Sequence, residues 1–565
     1  MEAANTENNL AAQIDRPHVI LSSRRRWAVT AGVLLGMFLA ALEATVVGAA
    51  MPTIIASLGG MDRYSWVVSA YLLTATVTVP IWGKLSDIYG RRPLYLAGIA
   101  TFLLGSALSG ASQTMTQLIT FRAVQGLGAG ALVPLSLTIN GDIFTPQERT
   151  RIQGLFSGMW GLASIIGPLA GGFITDNFSW HWVFYINIPF GLAAAIIVGL
   201  ALVEPKRAEP PVVDYAGAAW LTFSITALLI GLIESAHPEM WTSPLMIISG
   251  ISFILFGILF IRAEKRAIEP IVPLSLFRNR MVAVGSITSF LTGTAMFGSI
   301  TFVPLLVQGV WGGTATEAGS ALTPFLLGWV GMAIVGGKLM LKVGYRSTVL
   351  TGLAIMAVSF VILSSFDIHT PRWLLLANLG LMGSGMGMVM LALLITIQSS
   401  VERQVLGVAT SLQQFSRSIG GAVGVAIMGA VLTISLMSHR QDIQRETHLP
   451  EAEVEKIVHN ISDLMRPETR AKMPPEALGP LAEGLSDALQ NAFIVGAFFA
   501  GLGLLSGFWL PSFRATASSK AVKEAAEMAS SSKECERMLM AEMTTIDAEN
   551  EPAAIEPKAD ANRRG

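Results

Sequence analysis

The chain has one cysteine in 565 residues, Cys535, and it sits in a polar tail, so neither a disulfide framework nor a cysteine metal site can form. Charge is scarce as well: 14% of residues are Asp, Glu, Lys or Arg, against about 25% in an ordinary soluble chain. A net charge of −1 offers no basic surface, so nucleic acid is not expected as a partner. No Gly-x-x-x-x-Gly-Lys-Ser/Thr loop and no His-Glu-x-x-His pattern occurs, which removes the usual apparatus for ATP-driven work and for zinc-dependent hydrolysis. No enzyme activity, metal or cofactor is expected. What the chain has in excess is apolar surface, with 52% hydrophobic residues.

The few charges are clustered. Seven lie in Met1 to Arg26, sixteen in His439 to Ala488 and eighteen in Ser512 to Gly565, which leaves 36 for the other 435 residues. The first residues are acidic and polar; Arg24, Arg25 and Arg26 then precede a long apolar run with no small-residue cleavage site near its end. A retained first membrane helix is therefore expected rather than a signal peptide.

A bilayer core of about 30 Å requires about 20 apolar residues per helix, because each buried peptide group must be bonded within its own segment. Six such runs open the chain: Trp27–Met51, Tyr64–Trp82, Leu94–Ser112, Thr116–Asn140, Ile152–Thr175 and Trp182–Val203. The charged, Pro-rich stretch Glu204–Asp214 reads as a linker to two more, Tyr215–Glu234 and Leu245–Ile261. The last six are Met281–Val303, Ala318–Gly336, Ser347–Phe366, Trp373–Thr396, Gly407–Met437 and Leu489–Leu510. The expected architecture is all-α and integral to the membrane, with fourteen helices as 6+2+6. Its parts are a 1–26 terminal segment, a six-helix bundle over 27–203, the linker and extra pair over 204–280, a second bundle over 281–511, and a 512–565 tail.

Lys and Arg are retained on the cytoplasmic side of short connections. One set of connections, from Arg24 through Arg403, holds nineteen of them; the opposite set holds only Arg63 and Arg372. Both termini are thus expected in the cytoplasm. The charged loop 438–488 then lies outside, with helical spacing over Glu451–Met465 and Pro475–Gln490 that predicts a helical hairpin. Ser519–Met540 has helical character, and the polar end after it is expected to be disordered.

Gly83-Lys84-Leu85-Ser86-Asp87-Ile88-Tyr89-Gly90-Arg91-Arg92 stands between the second and third runs, and Gly337-Lys338-Leu339-Met340-Leu341-Lys342-Val343-Gly344-Tyr345-Arg346 between the tenth and eleventh. Five of ten positions match without a gap. Equivalent loops in two groups of six helices are what parallel repeats about an axis along the membrane normal produce, with a site between the halves.

With these loops the chain resembles the major facilitator superfamily, and specifically its fourteen-helix drug:proton antiporter branch, from Trp27 to Pro511. Three further patterns support the resemblance: Arg122-Ala123-Val124-Gln125-Gly126-Leu127-Gly128-Ala129-Gly130; Gly154, Gly158, Gly161 and Gly167-Pro168-Leu169-Ala170-Gly171-Gly172, similar to the antiporter signature; and Leu42-Glu43-Ala44-Thr45-Val46-Val47 through Met51-Pro52. The branch usually has aspartate at the position of Glu43. The resemblance implies that Gly83, Asp87, Gly90, Arg91, Arg92 and Asp142 form a charge network that holds the outward-facing state. Leu341 stands where the second loop would need the aspartate, so only the first half should form it. Arg417, in Gln413-Gln414-Phe415-Ser416-Arg417-Ser418-Ile419-Gly420-Gly421, resembles a thirteenth-helix pattern of the branch and is expected near the cytoplasmic end as a gate or interface residue of that network.

A charge at mid-membrane costs about 2.5 to 3.5 kcal/mol on insertion scales, so the few present usually face a cavity or a partner. Glu43 and Arg122 are read as the proton-coupling pair; Arg122 stays charged and so acts by tuning a carboxylate. The bland alternatives are a rim residue for Glu43 and a fixed structural pair for Arg122. Glu234, Gln125 and Trp160 are candidates for coupling or substrate contact, although an interfacial cap explains Glu234 equally well. Small residues at four-residue spacing in the fifth helix allow close helix contact, and Pro168 permits a bend. Phe156, Phe290, Phe297, Phe302, Met296, Met386 and Met388 are apolar cavity candidates, each also explicable as core or lipid-facing.

The expected function is a proton-coupled antiporter that exports hydrophobic or cationic small molecules by alternating access, as a monomer in the plasma membrane, with small-molecule substrates, protons and the lipid bilayer as partners. A dedicated exporter of one metabolite, such as a siderophore, amino acid or lipid, fits the same scaffold. A receptor or scaffold without transport is a more distant alternative.

Overall fold

The computed structural model describes residues 21–58, 64–204, 214–234, 243–313, 315–438 and 475–511, and no strand occurs among them. The long helices are α1 (Ser23–Leu58), α2 (Tyr64–Tyr89), α3 (Arg91–Gly110), α4 (Met115–Ile143), α5 (Pro146–Asn177) and α6 (Asn187–Ala201), the last preceded by a single turn, Trp182–Tyr185. Next come α7 (Tyr215–Glu234) and α8 (Pro244–Glu264). The remainder are α9 (Arg280–Leu305), α10 (Thr323–Val343), α11 (Tyr345–Leu363), α12 (Arg372–Ser399), α13 (Leu406–Ser438) and α14 (Pro475–Gly507). Among the described residues thirteen helices are long and apolar enough to cross a membrane. The thirteen do not include α5, which covers the expected fifth span as one continuous helix.

The duplication seen in the loops extends to the packing. In the first half α4 lies along α2 and α3, and α1 along α5 and α6; in the second α12 lies along α10 and α11, and α9 along α13 and α14. Each of these contacts in the first half therefore has its counterpart eight helices later. The halves meet in two matching places, α2 against α13 and α5 against α10. The extra pair, α7 and α8, pack on each other, and α7 leans on α2 and α13.

Glycine makes the closest of these approaches possible. A Cβ on Gly126 or Gly130 would run into the α2 backbone, and one on Gly128 into the α3 backbone. Gly383, Gly385 and Gly387 of α12 repeat this: the outer two face α10 and the middle one faces α11. The two repeat loops also agree, since Gly90 (φ 96°) and Gly344 (φ 90°) both hold the positive φ that only glycine adopts without strain, immediately before the next helix.

Three expected boundaries are refined. The tenth span does not run unbroken from Ala318: a short helix, Ala315–Ala321, ends at Leu322 and α10 begins at Thr323, because Pro324 has no N–H to donate and disfavours the preceding helical turn. The ninth continues past Pro304 into a wider turn, Leu306–Val310. Pro475–Gln490 is helical, and it runs without a break into the last span as the first half of α14, since Leu481, Leu485, Ala488, Leu489, Ala492 and Phe493 make one buried stripe across the expected boundary; the other expected arm, Glu451–Met465, lies outside the described residues. So do residues 205–213, the 1–20 segment and the 512–565 tail, including Ser519–Met540.

The start of α5 is fixed by a reciprocal cap in which the Thr145 hydroxyl accepts from the Glu148 amide and the Glu148 carboxylate accepts from the Thr145 amide. Arg26 reaches the same carboxylate at 2.6 Å. Burial pushes the Glu148 carboxyl up, but the Thr145 amide and Arg26 outweigh it and hold the group below its ordinary value. This contribution to stability is present above the ordinary carboxylate range and is lost as pH falls through the lowered one.

A Cβ at Gly385 would lie 2.6 Å from the Gly352 carbonyl oxygen, and overpacking of this kind costs about 1 to 3 kcal/mol. Gly385→Val should lower the melting temperature of the purified protein in detergent by several degrees. Gly172→Ala, where a Cβ would meet nothing within 4 Å, should leave it unchanged.

Candidate functional site

α1 is 36 residues long, about 54 Å at 1.5 Å per residue, and Glu43 lies near its middle. Its side chain is fully buried, so it does not snorkel to solvent. Arg122, on α4, pairs with Glu43 Oε1 through Nη1, which also donates to Gln125 Oε1 at 2.7 Å, while Nε donates to the Val67 carbonyl at 3.2 Å. The Tyr71 ring lies 4.2 Å from the guanidinium carbon. On the other side Asn187 Nδ2 donates to Glu43 Oε2 at 2.5 Å and to Ser106 Oγ at 2.9 Å, and Ser106 donates to the Phe184 carbonyl at 2.8 Å.

The site thus draws on six elements: α1, α2, α3, α4, the turn Trp182–Tyr185 and α6. Asn187 is placed by the break between the turn Trp182–Tyr185 and α6, and Ser106 by Gly105, where a Cβ would overlap the backbone of Gln125. Removing one member of a buried ion pair leaves the other uncompensated, at a cost of about 3 to 5 kcal/mol. The pair is therefore stable while intact and sensitive to any change in charge. Of its members Glu43 is the one that can take a proton, because a guanidinium remains charged at physiological pH.

At the end of the bundle that holds the loop 83–92, the halves are joined by a second set of charges. Asp87, near the end of α2, accepts from the backbone amides of Gly407 (2.9 Å) and Val408 (2.8 Å), the first turn of α13. A carboxylate is favoured there because the first amides of a helix have no partner within it and carry partial positive charge. Arg91 bridges Asp87 at 2.5 Å and Asp142 at 3.0 Å. Gly83 and Gly407 face each other, so α2 and α13 come into backbone contact. Arg149 donates to the Gly141 carbonyl and, at 3.3 Å, to Gln398 of α12, which in turn donates to the Leu137 carbonyl at 3.3 Å. Lys84 pairs with Glu269 at 2.6 Å, tying this loop to the segment after the extra helices.

Several of the sequence-derived candidates are placed differently. Arg92 does not join the network: its side chain is exposed, and its backbone amide donates to Glu204, which caps the start of α3. Arg417 is not beside Asp87 but eleven residues into α13, with its guanidinium 5.7 Å from the Phe297 ring. In the α5 glycine series, Gly167 abuts Thr45 and Val46 of α1, and Gly154 abuts Ile334 of α10; a Cβ on Gly161 would lie 3.7 Å from Val330. A Cβ on Gly158 or Gly172 would meet nothing within 4 Å among the described residues, so close helix contact does not account for them. The Gly171 carbonyl accepts from Thr175 at 2.9 Å. The side chains of Pro168 and Glu234 lie outside the described residues. Trp160 is half-buried and packs on the cluster of Phe38, Ala41, Leu42 and Ala163, of which Leu42 adjoins Glu43 in sequence. Phe156, Met386 and Met388 are core residues.

Asn187, Ser106 and Tyr71 are not among the sequence candidates. An asparagine in the apolar run Trp182–Val203 is the available signal, since a buried amide needs partners.

If Asp87 holds the start of α13, Asp87→Asn should loosen it. In a Cys535→Ser background, a cysteine replacing Ser411, whose hydroxyl faces Gly83 in this contact, should react with a hydrophilic maleimide at least about tenfold faster in the Asp87→Asn protein, since the loss of a charged hydrogen bond is worth about 1.5 to 3 kcal/mol.

Comparison with known proteins agrees with this architecture. Residues 33–425 match the family model for the Major Facilitator Superfamily. The chain is 36% identical over 506 residues to the multidrug transporter protein MdtP of Bacillus subtilis (strain 168), which covers 86% of this chain and 93% of that protein. Against multidrug resistance protein 3 of the same organism the identity is 35% over 470 residues, with 83% and 91% covered. The efflux pump FUS6 of Gibberella moniliformis is 31% identical over 430 residues, with 74% and 76% covered. The crystal structure of the human organic anion transporter MFSD10 superposes with a TM-score of 0.58 at 16% identity, covering 87% of this chain and all of that one, and shows a common fold. The duplicated six-helix halves, the joined loops and these relatives together establish that the chain belongs to the major facilitator superfamily.

Proposed function

We propose that this protein is a multidrug exporter that exchanges protons for hydrophobic or cationic small molecules by alternating access. The names of its Bacillus and Gibberella relatives support efflux. The observation that supports proton coupling is the sealed pair Glu43–Arg122, a single titratable carboxylate held against a permanent cation among five helices.

A proton on Glu43 would cancel its charge and leave Arg122 uncompensated, which favours a rearrangement that rehydrates or re-pairs the guanidinium. A cationic substrate in the opened cavity would favour the deprotonated carboxylate, so proton and substrate bind in competition through one charge balance. Asp87 on the α13 amides would hold the conformation with the loop end closed, and the Gly167–Thr45 contact would transmit movement of α5 to the helix of Glu43. In this reading α5 is the fourteenth span, both termini are cytoplasmic, and the protein works as a monomer in the plasma membrane on the proton gradient alone, without metal, cofactor or nucleic acid.

In proteoliposomes with a pH gradient, wild-type protein should export ethidium and release lumenal protons when several unrelated lipophilic compounds are added. Glu43→Gln should give no response above protein-free liposomes, and gradient-driven export that persists in this variant would refute the coupling role. Gly167→Leu should insert at the wild-type level yet transport at about a tenth of the rate or less, because a bulky group there pushes α5 away from α1.

A further inference from the structure

The exchange mechanism uses the buried charges of the first half and leaves one in the second half unused. Arg417 lies about 16 Å along α13 and is 8% exposed. Among the described residues it forms no ion pair, its buried Nε has no hydrogen-bond partner, and its guanidinium stands beside the Phe297 ring. One turn earlier, Gln413 is 3% exposed and its Nε2 also lacks a partner. Residues four apart stand one above the other on a helix, so the cation and the amide donor share a face of α13. α9 closes on this stretch, with Gly293 against the Arg417 carbonyl, and Ser289, one turn before Gly293, has a buried hydroxyl without a partner.

The contrast with Arg122 is informative. There the chain supplies every acceptor the guanidinium uses: the Glu43 carboxylate, Gln125 Oε1 and the Val67 carbonyl. Arg417 likewise carries its charge at physiological pH, yet no carboxylate among the described residues pairs with it, and a buried cation is unfavourable until an acceptor completes it. Planar guanidinium donors match a carboxylate in shape, and an apolar ring alongside suits the body of an amphiphile.

We propose that Arg417, with Gln413 below it and Phe297 beside it, is a docking point in the second half for the carboxylate of an amphiphilic organic anion. This rests on the exporter reading and adds a substrate class to it: molecules with a carboxylate on an apolar body join hydrophobic and cationic compounds as ligands. Glu43 serves the proton in one half while Arg417 receives the anionic end of a substrate in the other.

Equilibrium binding to the full chain in nanodiscs, without a pH gradient, tests this with pyrenebutyrate, pyrenebutanol and a pyrenebutyl trimethylammonium salt. Wild-type protein should bind the carboxylate at least about tenfold more tightly than the alcohol, the scale of a charge-assisted hydrogen bond. Arg417→Gln should abolish the preference, Arg417→Lys should keep part of it, and Gln413→Leu should weaken it severalfold. Glu43→Gln should keep the preference while export is lost, so the two readings fail separately. Equal affinity for carboxylate and alcohol in the wild type, or a preference that survives Arg417→Gln, would overturn the proposal even if gradient-driven ethidium export is intact. If Arg417→Gln yields no monodisperse protein, Arg417→Lys and Gln413→Leu decide, and wild-type affinities for all three probes in both variants would count against it.

Discussion

A carboxylate and a guanidinium sealed together between α1 and α4 constrain much of the first half. Glu43 and Arg122 are 79 residues apart in sequence, and each is tolerable in an apolar bundle only because the other is there. Holding them together requires close helix approach, supplied by glycines such as Gly105, and enough neutral polar groups to satisfy the remaining donors and acceptors. Asn187, Gln125, Ser106 and the Val67 carbonyl meet most of that need. A charge change at this point is therefore felt by every helix that contributes to it.

The two halves share a backbone plan but not a charge plan. Gly126, Gly128 and Gly130 have counterparts in Gly383, Gly385 and Gly387, which face the corresponding helices, and Gly90 has one in Gly344, with the same positive φ. The charges break the symmetry. Asp87 caps α13, while the equivalent position in the second loop is Leu341, so α5 receives no such carboxylate from α10 and is capped instead by its own Thr145 and Glu148. One joined end thus has the ionic contact of Asp87, while at the matching place Gly154 abuts Ile334 and the neutral Gln398 accepts from Arg149. Such an arrangement can open by breaking a small, localised set of bonds rather than the whole interface.

Much of the architecture is legible in the sequence because membrane helices must satisfy their backbone bonds locally. The apolar runs mark them with little reference to the rest of the chain, and the family follows from the loop 83–92 and its repeat. The boundaries are less legible. Charge stops at Leu489, which marks it as the start of a span, yet α14 begins at Pro475, since the buried stripe from Leu481 onward packs before the charged residues end. The second glycine triplet, in α12, does not stand out in the sequence, because glycine is common throughout the chain and its spacing acquires meaning only when α10 and α11 are seen against it.

For the charged residues the division has a physical cause. The sequence by itself determined that Glu43, Arg122 and Arg417 are costly, since that depends only on the apolar run around each. Which of them is compensated depends on partners brought from distant segments, and only the tertiary structure decided it. Three-dimensional packing gave Arg122 a carboxylate, an amide oxygen and a carbonyl, placed Arg92 outside the network it resembles, and left Arg417 beside an aromatic ring, with no ion pair among the described residues. Local bonding fixes where the helices are; electrostatic pairing across them is non-local, and its outcome is written in their contacts.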